Sequence, residues 1–416
     1  MNHHPNFRIF IINAGVQPEL LKFAEYLAVG ELNFIYATSS GFSHESRLLR
    51  SHLLSTRMER LLKRRQIRIP KKNLSRSFFI LELIHYLVRN RFPQVARYVL
   101  DFRNALLDIR CAALIFSLRP NVLLLTASFG TLSIRVARMR STRVILSYPI
   151  AHHSWMQEYF ENEIRENPTW ARFLQGSNLS NRQISRLDRE IFLSDEVLVG
   201  SNFVRKTFNE SLKCEKPLKV LPLGADVRDL GSIAQWRDWN GSPFRIIFVG
   251  QLNQRKGLSY LLEGFKAADL GKSAQLTLVG GTTSGPSILE AISNYENVNV
   301  LPHVSRDELG RFLSTYHLFI LPSLAEGFPL SAIEAMSCGI PVMISENSFG
   351  SDLIIDGSNG FLIAPRDAEI ISNLIGELFS NRAKLEKCGN MGQLTAKEFT
   401  WGNYCEKLLA VVLELD

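Results

Sequence analysis

The chain has 416 residues, 46% hydrophobic and 10% aromatic, with a net charge of +8 and a mean hydropathy of +0.01. That composition excludes a disordered or fibrous chain, and the length exceeds one ordinary core, so two domains are expected. The longest apolar stretch, CAALIFSLRPNVLLLTASFG, is broken by Arg119 and Pro120, the start MNHHPNFRIFIINAG lacks a signal pattern, and five scattered cysteines (111, 214, 338, 388 and 405) form no CxxC; together these fit a reduced, cytoplasmic protein with no spanning helix.

In the first half, short apolar runs at 7–14, 32–39, 121–128, 143–150, 196–201 and 218–224 read as strands. Helical stretches such as PELLKFAEYLA and SRLDREIFLSD lie between them. Gly15 closes the first strand in INAGVQPE. Residues 1–230 hold 34 Lys and Arg against 20 Asp and Glu, a net +14, which leaves −6 for the rest. The excess is densest in RMERLLKRRQIRIPKKNLSR, residues 57–76, with nine basic residues and one Glu. This segment admits two readings, a basic amphipathic stretch lying on anionic lipid or a solvated helix face. Nucleic acid is not an expected partner, because no aromatic interleaving or reader motif accompanies the charge. His152 and His153 follow the strand RVILSYPIA at its carboxyl end.

Residues 225–244 carry Gly, Ser and Pro without a buried-strand pattern and read as a linker. The strand pattern then restarts at 245–251, 275–281, 298–304, 317–323 and 341–345. The expected fold is α/β: two doubly wound, Rossmann-like domains facing across a cleft, with ligands at the carboxyl ends of the strands. The expected boundaries are 1–228, 229–398, and a C-terminal helix at 399–416 returning to the first domain.

Two strand-to-helix turns of the second half are chemically suggestive. FVGQLNQRKG places Arg255 and Lys256 at a strand mouth and Gly257 at a helix start. EGFPLSAIEAMSCGIPV reads as loop, short helix (about Leu330 to Cys338) and strand, with Pro329 in the first helical turn and Gly339 at its end. Backbone N–H groups around Leu330 and Ser331, with Gly327 allowing close approach, favour an anion such as phosphate. The two basic residues could stabilise a departing diphosphate. Glu334 would repel phosphate, but suits ribose hydroxyls; Glu326 and Glu334 could equally be a loop carboxylate and an exposed helix glutamate. His/Cys spacing for a metal is lacking, so no metal site is expected.

EGFPLSAIEAMSCGIPV closely resembles the Glu-x7-Glu motif of the retaining, two-domain (GT-B) glycosyltransferases of the large family numbered 4, the glycosyl transferases group 1. VGQLNQRKG is similar to that family's phosphate loop, and DLIIDGSNGFLIAP to the segment after its nucleotide-binding helix. The likeness is strong over about 245–380, moderate over 143–230 and weak before 143. It implies a nucleoside-diphosphate sugar held in the cleft and passed, with retention of configuration, to a glycan or lipid-linked glycan. It further implies Glu334 on the ribose, Glu326 near the sugar hydroxyls, Arg255 and Lys256 on the diphosphate, and His152 on the donor sugar. Gly327, Phe328, Pro329 and Leu330 would line the donor, with backbone near His303 and Val304 meeting the base; Gly15 and His153 would lie on the acceptor side. The absence of Asp-x-Asp fits an enzyme needing no cofactor or metal, working in the cytoplasm or at the inner membrane face. Gln251 stands where many members have Arg, Pro329 where Gly is common, and Asp352 where Glu is usual. Rival readings are a nucleotide-sugar hydrolase or epimerase on the same scaffold, and a degenerate scaffold that binds lipid or a partner through 57–76.

Overall fold

The computed structural model describes residues 7–15, 17–39, 41–43, 66–75, 79–88, 91–176, 179–211, 216–227, 230, 238–240, 243–282 and 286–414. Residues 57–65 and 76 of the basic segment lie outside the described residues, and with them most of the charge behind its lipid reading.

The first unit runs β1 (Ile9–Ile12), α1 (Pro18–Val29), β2 (Phe34–Ala37), β3 (Phe42–Ser43), β4 (Gln66–Ile67), β5 (Leu74–Ser75), α2 (Phe79–Val88) and α3 (Pro93–Leu118). It continues with β6 (Val122–Thr126), α4 (Thr131–Met139), β7 (Arg143–Tyr148), α5 (His153–Glu166), α6 (Asn181–Leu193), β8 (Glu196–Val199), α7 (Asn202–Ser211) and β9 (Leu218–Val220). Its main sheet has the order β5-β2-β1-β6-β7-β8-β9, with every pairing parallel.

The second unit comprises β10 (Phe244–Val249), α8 (Leu258–Ala267), β11 (Ala274–Val279), α9 (Pro286–Ile292), β12 (Val298–Leu301), α10 (Arg306–Leu313), β13 (Leu318–Leu321) and α11 (Leu330–Ser337). It closes with β14 (Val342–Ser345), α12 (Gly350–Leu353), β15 (Phe361–Ile363), α13 (Ala368–Ser380) and α14 (Arg382–Ala396); α15 (Trp401–Leu413) follows. The sheet order β12-β11-β10-β13-β14-β15 is again wholly parallel. Strands such as LFIL of β13 and VMIS of β14 are buried throughout, as a sheet covered by helices on both faces requires. In both sheets the order reverses beside the first strand of the unit. The crevice outside the carboxyl ends at that reversal is where open α/β sheets take their ligands.

Helix α15 belongs to the first unit's core: Tyr404, Leu408 and Val412 pack with Ile9, Leu20 and Phe23. The chain therefore crosses between units twice, and the crossings touch. Ala225 N–H donates to Phe399 O at 2.8 Å, and Ala225 and Thr400 form an isolated parallel bridge. A Cβ on Gly224 would lie 2.6 Å from Thr400 O.

Each run expected as a strand contains one. The pattern missed β15 and the two-residue strands β3, β4 and β5, which are too short to show a periodicity. Pro329 is the N-cap of α11 (φ −83°, ψ 80°) rather than part of its first turn, and the helix stops at Ser337. Gly339 takes the left-handed conformation (φ 70°) that ends it.

Candidate active site between the two sheets

At the switch point of the second sheet, β10 leads into a 3-10 turn, Gln254–Lys256, capped by the Asn253 side chain accepting from Lys256 N–H. Gly257 follows with φ 71°, and a Cβ there would lie 1.9 Å from Pro322 O, so only glycine lets α8 start against the end of β13. The turn aims its two cations at one carboxylate. Lys256 Nζ donates to Glu326 Oε2, and Arg255 Nη1 lies 3.3 Å from the same oxygen while donating to Ala325 O at 3.0 Å. Glu326 is fixed from behind, its N–H donating to Asn347 O at 2.9 Å. Burial alone would raise the Glu326 pKa, but Lys256 and Arg255 outweigh it and hold the carboxyl below its usual range. Burial and the neighbouring Arg255 lower the Lys256 ammonium, with Glu326 opposing them.

The loop that carries Glu326 enters the other unit. Leu324 and Ala325 pack into the first unit's core, and a Cβ on Gly327 would lie 1.8 Å from Pro149 O. Glycine at 327 thus brings two strand ends into direct backbone contact, with Gly200 beside Phe328. The Phe328 side chain turns into the second unit, its ring 4.7 Å from that of Phe349 at a 32° tilt and near Phe399. Leu330 N–H donates to Phe328 O at 3.1 Å. Ser331 Oγ donates to Val249 O at 2.9 Å, tying α11 to the end of β10, and half-buried Glu334 follows one turn later. His303, exposed, and Val304, half-buried, follow β12, two strands from β10 on the same carboxyl edge.

Across the cleft, His152 caps α5, its Nδ1 accepting from Ser154 N–H at 3.2 Å. An accepting Nδ1 puts the ring hydrogen on Nε2. That Nε2 is buried and has no partner among the described residues. Burial, reinforced by His153, pushes the His152 pKa down to about 3, so the ring is neutral. The result is a buried N–H donor with no acceptor among the described residues. His153 differs, for both of its nitrogens are engaged: Nδ1 with Tyr148 OH at 3.0 Å and Nε2 with Asp188 Oδ1 at 2.9 Å. Ligand atoms of His152, His153 and Asp188 lie within 4.8 Å of one another. The two imidazoles, however, stack at 4.2 Å with only 30° between their planes, so their in-plane lone pairs run side by side instead of converging on a metal.

Contacts between the units have no local signal in the sequence. Glu163, fully buried on α5, accepts from Gln254 Nε2 at 2.8 Å and from Tyr260 OH at 3.0 Å, and pairs with Arg366 Nε at 2.9 Å. Arg366 also lies over the Tyr159 ring and donates to Tyr159 O. Asp352 caps α7 from the other unit, taking Asn202 N–H at 2.6 Å and Asn202 Nδ2 at 2.8 Å. Within the first unit, Gly15 lines a cavity of about 510 Å³ at the carboxyl ends of β1 and β6, together with Thr126, whose buried Oγ1 is unpartnered among the described residues. The inner sides of α2 and α3 wall it with His85, Leu100 and Arg103, the last paired with Glu82.

Residues 233–395 match the family model described as Glycosyl transferases group 1. Among curated proteins, the chain is similar to the MMP alpha-(1->4)-mannosyltransferase of Mycolicibacterium hassiacum, 28% identical over 200 residues, covering 47% of each chain. It is likewise similar to the capsular polysaccharide biosynthesis glycosyltransferase CapM of Staphylococcus aureus, 28% identical over 155 residues, covering 36% of this chain and 40% of CapM. The matched region spans about half the length of these curated relatives, or less. Among solved structures, the Anabaena protein HepE in complex with UDP and glucose superposes with a TM-score of 0.66 at 13% identity, over 98% of this chain and all of that one. A sucrose-phosphate synthase from Thermosynechococcus elongatus gives 0.63 at 16% identity, over 98% and 99%. These likenesses establish the fold as the GT-B architecture of two Rossmann-like domains.

Proposed function

We propose that the chain is a metal-independent, retaining glycosyltransferase that moves a sugar from a nucleoside diphosphate to a glycan or lipid-linked glycan. The observation that carries this reading is the meeting of two strand ends at Gly327 and Pro149. On one side stand Arg255, Lys256, Glu326 and Glu334; on the other, three residues past Pro149, stands the unpartnered Nε2–H of His152. The family match over 233–395, relatives named as sugar transferases, and a fold shared with a protein that binds UDP and glucose all support it.

In this reading the bond between the anomeric carbon and the diphosphate oxygen breaks, and the oxygen keeps the electron pair. Lys256 and Arg255 stabilise that growing charge, which is the largest electrostatic demand of the step and gives a metal no separate task. The acceptor hydroxyl attacks from the face the diphosphate leaves, and its proton passes to the departing phosphate oxygen. His152 donates from Nε2 to an oxygen of the donor sugar, Glu326 accepts from sugar hydroxyls, and Glu334 accepts from ribose. Backbone near His303 and Val304 meets the base.

The test is calorimetric binding of a panel of nucleotide sugars, followed by transfer to candidate lipid-linked glycans with the product anomer read by NMR. Binding of one donor, transfer with retention, and transfer unchanged by EDTA are expected. A Lys256→Ala variant that kept full donor turnover, or a Glu334→Ala variant with an unchanged donor KM, would refute the site, and an inverted product would refute the stereochemistry.

A further inference from the structure

Helix α3 is apolar on two opposite faces. Its inner face holds Arg103, Leu107, Cys111 and Ile115, all buried. On its outer face Val95, Tyr98, Phe102, Ile109 and Phe116 are exposed, Tyr98 by 76%, Phe102 by 57% and Ile109 by 56%. Steps of three, four and seven residues keep these five within an arc of roughly 60° at about 100° per residue. Single exposed apolar side chains are ordinary on a protein surface; five on one line along a 26-residue helix are not. Leu87 on α2 is exposed as well, and Arg140 lies over the ring of Phe116 at the far end.

We propose that this stripe is a docking surface for an anionic lipid bilayer. The charges around it select that occupant. Arg91 and Arg119, just beyond the two ends of α3, are exposed and Arg110 is half-buried on its flank, against one exposed acid, Asp101, among the described residues of α2 and α3; Arg97, exposed too, turns away to Gln183. Arg68, Lys71 and Lys72 are also exposed, beside Gln66 and Ile67 at the cavity that α2 and α3 wall. The first 230 residues carry a net +14. A second copy of the chain docking by two-fold symmetry would set the same patch of arginines against itself, whereas an anionic surface meets it with opposite charge. A tyrosine among aliphatic and phenyl side chains, rimmed by arginines, is the composition of a helix lying in the lipid interface. Because the opposite face of α3 lines the cavity, docking brings that cavity within about one helix diameter, 10 Å, of the bilayer. An acceptor sugar carried on a lipid would be presented there. This corollary rests on the transferase reading; the docking surface does not.

Flotation with phosphatidylcholine vesicles, with and without phosphatidylglycerol, tests the proposal in the absence of any nucleotide sugar. The protein is expected to float with the phosphatidylglycerol vesicles and to be released by salt. The combined Tyr98→Ser, Phe102→Ser and Ile109→Ser variant should lose at least about tenfold in binding, while Val29→Ser, an equally exposed site on α1, should lose nothing. The single Phe102→Glu variant should weaken binding in the same direction with the melting curve unchanged. Equal binding of wild type to neutral and anionic vesicles, or undiminished binding of both stripe variants, would overturn the proposal. So would a wild-type dimer in light scattering that the triple variant splits without any vesicle binding, since the stripe would then be an interface between copies.

Discussion

Glu326 and Lys256 come from different strand ends of the second sheet and close on each other as a half-buried ion pair, with Arg255 on the same carboxylate oxygen. The carboxylate therefore occupies the cations that a diphosphate would use. Ligand and Glu326 compete for them, so Glu326→Gln should bind a nucleoside diphosphate about tenfold more tightly, which corresponds to about 1.4 kcal/mol. Sugar transfer by the same variant should fall. Lys256→Met should weaken binding and destabilise the fold, by less than the 3–5 kcal/mol or so of a fully stripped buried pair, because Arg255 stays. Calorimetry and thermal melts measure both; unchanged affinity in Glu326→Gln would show that the pair does not stand in the diphosphate site.

Glu334 is expected to act on ribose alone. Glu334→Ala should raise the donor KM about tenfold or more while leaving kcat within about threefold, since a hydrogen bond to a charged group contributes about 1.5–3 kcal/mol. A donor lacking the ribose hydroxyls should bind wild type and variant alike. A variant that lost discrimination between ribose and deoxyribose donors would locate the contact; a large fall in kcat would place Glu334 at the sugar instead.

The pH dependence of stability should have two limbs of opposite sign. His152 is depressed to about 3 from an ordinary 6.5, so its burial as a neutral ring stabilises the protein above pH 6.5, and that contribution is lost as pH falls towards 3. Glu190 is raised to about 7 by burial, although Ser128 N–H donates to it at 2.6 Å. Its contribution is complete below about 4.5 and is lost as pH rises through 7. Melting temperatures should therefore fall less steeply between pH 5 and 8 in Glu190→Gln, and less steeply between pH 6.5 and 4 in His152→Phe. Neither substitution should alter the limb assigned to the other.

Gly327 should tolerate no side chain without opening the cleft, because its Cβ would sit 1.8 Å from Pro149 O. Gly327→Ala is expected to leave both sheets folded by circular dichroism while reducing transfer at least about a hundredfold through misplacement of Glu326 relative to His152. Full activity in this variant would show that the contact is not needed for catalysis.

Glu163 holds the units together from a fully buried position, with Arg366, Gln254 and Tyr260 around it. Glu163→Leu should leave the Arg366 guanidinium without this partner and cost about 3–5 kcal/mol or separate the units. Small-angle scattering should then show a larger radius of gyration. Combining it with Arg366→Leu should restore part of the loss, and strict additivity of the two would argue against a direct pair.

Strands, their parallel pairing and the two strand-to-helix turns were legible because buried parallel strands are short apolar runs with turn residues at both ends. A phenylalanine beside a glycine gives no sign of which wall its ring faces; here Phe349 and Phe399, 21 and 71 residues away, draw the Phe328 ring into the core. Two adjacent histidines carry no local difference, and the resemblance alone set His152 apart. The fold adds a physical one, engaging both nitrogens of His153 and leaving Nε2 of His152 unpartnered among the described residues. Glu163 and Asp352 meet partners 91 to 203 residues away, beyond the reach of any local pattern.

The paired crossings at Ala225 and Thr400 make the second unit an insert whose entry and exit share one point on the host. Such a unit can be lifted out as a continuous stretch of gene, and another of its kind set in, without rerouting the remaining chain. The matched family segment, 233–395, lies wholly between those two points. Under the transferase reading proposed above, donor preference changes by replacement of a cartridge while the first unit, with α15 sewn into it, stays as it was.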